Sequence, residues 1–352
     1  MRVPLIYKHQ PLLGLDIGSR TVKFVQLGSG GTKVLGYGYA NLSADALTEG
    51  IIVDPKTIAQ ALKPALLHPF AGRINAKRVV LSLPVAKVFT RILQLPPMSA
   101  ADLEQAVKFE TEQYVPVPMN DLYIDYETVK ASAEAAKQHT NVLMVAAPRA
   151  IVDSYVKLFD VLGLEVEALE TSLAAITRAM ISATRSQRTT LVVDFGSKSA
   201  DLAIYDQVIR LTGTIPIGGD SLTEAMVKGL AINVDQAQAI KIKFGIGDSD
   251  MRPKVLGAIE AQLATVVAEI KKVVKYYQDR SEAKSPVETM ILTGGSASMP
   301  GLVDYLYKAL DIPIIVGNPW LNLATGQLPK LDKLEAPMYT TAIGLALRGA
   351  QQ

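Results

Sequence analysis

The sequence predicts a mixed α/β fold built around a duplicated β-hairpin, with a compact α+β unit between the two copies. Three observations carry this. The phrase "LGLDIGSRTVKFVQL" at Leu13–Leu27 returns as "LVVDFGSKSADLAIY" at Leu191–Tyr205. Between the copies, Ala76 to Leu164 reads strand–strand–helix–strand–strand–helix, the order of a small two-layer unit. Finally, "ILTGGSASMPGL" at Ile291–Leu302 puts a glycine turn between a strand and a helix.

The elements follow in order. "LLGLDI", "VKFVQL" and "VLGYGYA" are short apolar strands separated by Gly and Ser turns. "DPKTIAQALKPALL", Asp54 to Leu67, is a helix with Pro55 in its first turn and Ile58, Leu62 and Leu66 on one face. In the middle unit, "KRVVLSLP" and "FTRILQLP" are strands stopped by proline. "SAADLEQAVKFETEQYV", Ser99 to Val115, has a Ser cap and an early acidic turn. Its Leu103, Val107 and Tyr114 face one side. "LYIDYETV" and "TNVLMVAAP" are strands joined by the polar tip "KASAEAAKQH", and "RAIVDSYVKLFDVLGL" is a helix closed by Gly163.

After the helix "SLAAITRAMISAT" comes the second hairpin, then the strand "VIRLTGTIPIG" and the helices "DSLTEAMVKGL" and "VDQAQAIKIKFG". A long helix over Lys254–Arg280 carries an apolar stripe from Leu256 through Ile259, Leu263, Val266 and Ile270 to Tyr277. "WLNLATGQLPKLDKLEAP" is a polar, linker-like loop, and "MYTTAIGLALRGA" is the closing helix.

Composition narrows the chemistry. The 352 residues are 49% hydrophobic and 20% charged, with 36 basic against 34 acidic side chains, so no nucleic-acid footprint is expected. There is no cysteine, and the histidines are only His9, His68 and His139, scattered along the chain. Thiol catalysis, a histidine-based zinc site and a Ser–His–Asp triad are not expected. No run approaches the roughly 20 apolar residues of a membrane span, and the start and tail suggest neither a signal peptide nor an amphipathic anchor. A cytoplasmic protein is expected, meeting a membrane only through partners.

The repeat supplies the site. Asp16 aligns with Asp194, Gly18 with Gly196, Ser19 with Ser197, and Arg20 with Lys198. In each hairpin turn a glycine lets backbone N–H groups approach an anion, and the serine hydroxyl adds a donor. A carboxylate beside such a turn repels phosphate unless Mg²⁺ lies between them. Two such turns face to face would clamp a polyphosphate. Gly294, Gly295 and Ser296 would then approach the nucleoside part. For Lys23, ligand contact and a surface role both stand.

This ordered set resembles the actin-like ATPase superfamily: two phosphate hairpins followed by an adenosine turn. "IPIGGDSLTEAM" and "APMYTTAIGLALR", with Ala342 and Gly344 as small packing residues, resemble segments of FtsA-type proteins. The run from "VVLSLP" to "DLYIDYETV", with "LQLPPMS", "DLEQAVKFETEQYVPVP" and "DLYIDY", resembles the PilM type IV pilus assembly proteins.

The resemblance implies a two-lobed, ribonuclease-H-like fold with an FtsA-type inserted α+β subdomain. The first lobe would comprise 1–75, 165–188 and 335–352, the insert 76–164, and the second lobe 189–334. It implies ATP and Mg²⁺, with Asp16 and Asp194 on the metal and Gly18, Ser19, Gly196, Ser197 and Lys198 on the phosphates. Gly294, Gly295 and Ser296 would flank adenosine. Lys241, Glu269 and Lys272 either reach the base and ribose or lie on solvated helix faces. Glu170 is the candidate to orient a hydrolytic water, or else a helix-start carboxylate. ATPase activity is expected to be slow or negligible.

The implied role is a cytoplasmic scaffold, peripheral to the inner membrane. It would bind the cytoplasmic N-terminal peptide of a PilN-like protein between the first lobe and the insert, and would couple indirectly to the pilus motor ATPases. Phe89, Ile92, Leu122 and Tyr123 are candidates for that groove, or plain strand core. The alternative is an FtsA-like filament former; self-association is left open, and the absence of a terminal amphipathic helix favours the pilus reading. Sugar kinases and chaperones share the fold, but neither accounts for the insert.

Overall fold

The computed structural model describes residues 12–43, 46–129, 139–184, 188–280, 285–329 and 335–349. The polar tip expected over 130–139 lies almost wholly outside them. The chain opens with β1 (Leu12–Ile17), β2 (Thr21–Leu27) and β3 (Val34–Asn41), an antiparallel meander. A two-strand ribbon, β4 (Leu47–Thr48) and β5 (Ile51–Ile52), leads to α1 (Pro55–Leu67), whose first turn is capped by the Asp54 carboxylate. β6 (Ala71–Gly72) and β7 (Arg78–Leu83) follow.

Next come β8 (Phe89–Leu95), α2 (Ala100–Tyr114), β9 (Leu122–Val129) and β10 (Thr140–Pro148). Then α3 (Arg149–Leu162), β11 (Glu165–Thr171) and α4 (Ser172–Thr184) return to the first sheet. That sheet is ordered β11-β7-β1-β2-β3-β6.

The insert is therefore smaller than the span 76–164 expected from the element order. Its own sheet is β8-β10-β9, closed on one face by α2 through Leu103, Val107, Leu93, Val142 and Met144. β7 belongs to the first lobe because it pairs in parallel with β1 and β11, with Val79 beside Leu13 and Val166. α3 belongs there too: Ile151, Tyr155, Leu158 and Phe159 are buried with Leu13, Phe24, Ile58 and Leu62. Parallel strands are covered on both faces and read as near-continuous apolar runs, and such a run does not reveal which sheet it joins. Tyr114, expected on the buried face of α2, is exposed and stacks under the Arg91 guanidinium.

The second lobe holds β12 (Thr190–Phe195), β13 (Ala200–Asp206), β14 (Val208–Ile215), α5 (Gly219–Leu230), α6 (Val234–Lys243), α7 (Arg252–Arg280), β15 (Thr289–Thr293), α8 (Leu302–Leu310) and β16 (Ile314–Val316). Its sheet runs β14-β13-β12-β15-β16. The apolar stripe of α7 covers this sheet, with Ile259, Leu263, Val266 and Ile270 buried.

Two helices join the lobes, α4 and the closing α9 (Thr340–Arg348). Their core mixes Ile176 and Met180 of α4, Ile343 of α9, Val25 and Tyr37 of the first sheet, and Val192 and Ile291 of the second. A Cβ on Gly344 would overlap the Ala175 carbonyl, and one on Gly14 the Ala342 carbonyl, so the small residues let α9 lie directly on α4 and β1. The segment expected to be a linker is anchored instead. Trp320 packs edge-on against Tyr37 at 5.1 Å and Tyr339 at 5.6 Å, and Ala324 hydrogen-bonds Thr32 and Val34 beside the β2–β3 turn.

Candidate functional site

Both halves of the repeat fold alike. In the first hairpin Asp16 lies opposite Lys23 and the Gly18 N–H donates to the Thr21 carbonyl at 3.0 Å. In the second Asp194 lies opposite Asp201 and the Gly196 N–H donates to Ser199 at 2.9 Å. A Cβ at Gly18 would stand 3.1 Å from the Thr21 oxygen and one at Gly196 3.2 Å from that of Ser199, so both turns close where a side chain is crowded.

The turns face each other across the lobes. Ser19 Oγ and Ser197 Oγ are 2.7 Å apart. Beside them Arg20 Nε and Nη2 both donate to Asp220 Oδ2, at 3.1 and 3.0 Å. Asp16 accepts from Ser82 Oγ on β7 at 2.7 Å.

Asp194 carries the strongest electrostatic signature. Burial pushes its carboxyl up to about 7, and the charges of Asp201 and Asp16 push the same way against the pull of Lys23. Burial raises Asp201 as well, although Thr214 Oγ1 donates to it at 2.7 Å. Lys23 acts on Asp194 by charge, and its ammonium reaches to within 3.9 Å of where a Gly18 Cβ would stand. Sequence reasoning left out Asp201 and Ser82. Asp201 was legible, since it occupies in the second hairpin the place of Lys23 in the first.

The fit to magnesium rests on this crowding. A divalent cation would offset the burial, and the smaller repulsion from Asp201 and Asp16, that raise Asp194. Among the described residues no three His, Cys, Asp or Glu side chains close around one point. That suits Mg²⁺, which keeps waters and takes one or two carboxylates together with phosphate oxygens.

The second turn is knitted to its surroundings. The N–H groups of Gly219 and Asp220, opening α5, donate to the carbonyls of Gly196 and Ser197 at 2.9 and 2.8 Å. Ser296 N–H donates to Phe195 O at 3.0 Å, and Ser296 Oγ contacts Gly196 O at 3.3 Å. Gly294 has φ +89 and lies against the Asp194 carboxylate, where a Cβ would collide. Contrary to the expectation of a helix directly after it, the glycine turn is followed by separate turns, and α8 begins only at Leu302, after Gly301 at φ +80. Gly295 has open space where a side chain would be.

The remaining candidates divide. Lys241 joins the cluster: its ammonium donates to Gly219 O and Thr223 Oγ1, both at 2.7 Å, and burial pushes its pKa down. Lys198 is exposed on the second turn, within electrostatic reach of Glu49. Glu269, half-buried, and Lys272, exposed, pair with each other at 2.6 Å on α7. That matches the solvated-face reading.

Glu170 is engaged in ion pairs. Both its oxygens are held by Arg178 of α4, at 2.6 and 2.7 Å, and Arg348 of α9 adds a contact at 2.8 Å. A buried carboxylate so committed ties β11 to both joining helices, with three of its roughly four acceptor sites taken by guanidiniums. In the insert, Leu122 is 2% exposed within the core beside α2, so it lines no groove. Phe89 packs partly on that core, Ile92 is half-buried, and Tyr123 is exposed, bonded to Asp153 and stacked with Arg149.

Two lobes joined by α4 and α9, with a hairpin turn of each meeting across a cleft, define an actin-like ATPase fold. A structure of MreB 5 of Spiroplasma citri bound to AMPPNP matches over 97% of this chain and 96% of its own, at TM-score 0.54 and 12% identity. The chain belongs to the type IV pilus assembly protein PilM family, whose model matches residues 14–350. A solved PilM–PilN type IV pilus biogenesis complex is similar over 97% of this chain and 99% of its own, with TM-score 0.85 and 23% identity. Among curated relatives, the cell division protein FtsA of Enterococcus hirae is 24% identical over 95% of this chain and 81% of its own length. That of Neisseria meningitidis serogroup B is 25% identical over 70% and 66%. Among the described residues no helix is long and apolar enough to cross a membrane.

Proposed function

We propose that this protein is a nucleotide-responsive scaffold of the type IV pilus inner-membrane assembly platform. It binds ATP with Mg²⁺ between its two hairpin turns and docks the cytoplasmic N-terminal segment of a PilN-like membrane protein. The observation that carries the first part is the meeting of Ser19 and Ser197 beside the crowded carboxylates Asp16, Asp194 and Asp201. The second part is supported by the likeness, over nearly the whole of both chains, to a PilM–PilN complex.

In this reading Ser19, Ser197 and the N–H groups of the two turns bind phosphate oxygens, and Lys23 and Lys198 balance charge. Asp16 and Asp194 hold the metal directly or through water; the metal's chemistry there is charge neutralisation of the phosphates. Lys241 and Ser296 orient the nucleoside end. With Glu170 committed to two guanidiniums, hydrolysis is slow or absent, and occupancy rather than turnover sets the state of the scaffold. The protein works in the cytoplasm and reaches the membrane through its partner.

The test is calorimetric titration of the full chain with a synthetic N-terminal PilN peptide, with and without Mg²⁺ and a non-hydrolysable ATP analogue. Saturable peptide binding that shifts with nucleotide supports the reading. Peptide binding indifferent to nucleotide removes the responsive part, and no peptide binding removes the scaffold.

A further inference from the structure

Arg20 engages a carboxylate of the opposite lobe, and the charge of Lys198 reaches another without contact. Arg20, in the first turn, holds Asp220 at the start of α5 in the second lobe. Lys198, at the equivalent place in the second turn, acts on Glu49, which tips the β4–β5 ribbon of the first lobe and also pairs with Lys87. Next to Arg20 and Lys198 in the two turns, Ser19 and Ser197 are hydrogen-bonded to each other. Ser19, Ser197 and Arg20, three groups that would meet a phosphate, are thus engaged across the lobes.

We infer that Arg20 and Asp220 form a latch that joins the two lobes at the phosphate end of the cleft, and that Arg20 moves from Asp220 to a nucleotide phosphate when nucleotide binds. This rests on the nucleotide-binding reading above and adds to it a residue and a mode of control.

The geometry supports the transfer. Both Arg20 nitrogens converge on one oxygen, Asp220 Oδ2, so the fork does not use its parallel two-oxygen match to a carboxylate. A phosphate offers that match, with more charge. The side chain of Arg20 is 55% exposed and that of Asp220 23%. A pair of this exposure is weak, shifting an equilibrium by at most about fivefold, so a polyphosphate can displace it. Both ends are nevertheless fixed in place. The Arg20 carbonyl accepts from Leu42 N–H at 2.8 Å, and the Asp220 N–H donates to Ser197 O at 2.8 Å. Opening the latch therefore moves turns and lobes rather than two loose side chains.

The test uses the absence of cysteine. Lys63→Cys on α1 and Lys228→Cys on α5, both exposed, take spin labels that report the distance between lobes. In nucleotide-free full chain, Arg20→Ala and Asp220→Asn should each lengthen or broaden that distance, and the exchanged pair Arg20→Asp with Asp220→Arg should restore it. With Mg²⁺ and a fluorescent ATP analogue, Asp220→Asn should bind up to about fivefold faster, whereas Arg20→Ala should bind more weakly through faster release. Unchanged distances in both single variants overturn the latch. Equal effects of the two variants on affinity overturn the transfer of Arg20. Changed distances with no nucleotide binding by any form leave the latch standing and refute the nucleotide-binding reading instead.

Discussion

Ser19 and Ser197 are 178 residues apart in the chain, and their hydroxyl oxygens are 2.7 Å apart in the fold. The same interval separates the equivalent positions of the two hairpins, so the molecule brings a repeat back onto itself at the turn. Replacing both serines by alanine should leave the fold intact, since both are partly exposed and bonded only to each other among side chains. A hydrogen bond to a charged group contributes about 1.5–3 kcal/mol. The double variant should therefore bind a Mg²⁺–ATP analogue at least about tenfold more weakly, read by equilibrium titration.

Asp194 predicts a pH dependence. Its folded-state carboxyl titrates at about 7 against an ordinary 3.8. Between those values the folded protein holds a proton that the unfolded chain has released. Stability of the nucleotide-free protein thus falls as pH rises through that window and levels off above it. Asp201, raised in the same direction, adds to the slope. Asp194→Asn should flatten the slope and stabilise the protein at pH 8 by on the order of 2–4 kcal/mol. Urea melts at several pH values decide this; an unchanged slope counts against the crowding of the carboxylates.

Glu170 should behave as a structural residue. Breaking a buried ion pair costs about 3–5 kcal/mol because the remaining charge loses its partner. Glu170→Ala should lower the denaturation midpoint on that scale. Its effect on nucleotide hydrolysis, per folded molecule, should be small. Preserved stability with abolished hydrolysis would return Glu170 to the chemistry.

Two glycines give opposite expectations. Gly344→Ala forces a methyl into the Ala175 carbonyl and should destabilise by about 1–3 kcal/mol. Gly257→Ala, on α7 with no atom within 4 Å of the new methyl, should stabilise by about 0.5–1 kcal/mol. Parallel thermal melts compare them.

How much of this was legible follows from where each signal lies. The hairpins were readable because their apolar alternation, Gly18 and Gly196, and the paired aspartates all sit within one short phrase. Gly344 was readable as a packing residue from its place among small residues on an apolar helix. The role of Glu170 was not, because its partners Arg178 and Arg348 come from two different helices. Ser82 carries no local mark either; it meets Asp16 only because β7 docks in parallel beside β1. That docking also hid the insert's edge. The proline-ended run "KRVVLSLP" marked a strand, which the fold forms over Arg78–Leu83, but not its sheet. Likewise, "LYIDY" named a strand without showing that Leu122 faces α2.

The most direct measurement is equilibrium titration of the full-length chain with a non-hydrolysable ATP analogue, with and without Mg²⁺, alongside Asp16→Ala and Asp194→Ala. The predicted result is saturable, magnesium-dependent binding by the natural sequence, weakened at least about tenfold in each variant. Equal affinity in all three proteins, or no saturable binding by the natural sequence, would contradict a nucleotide held between the two turns.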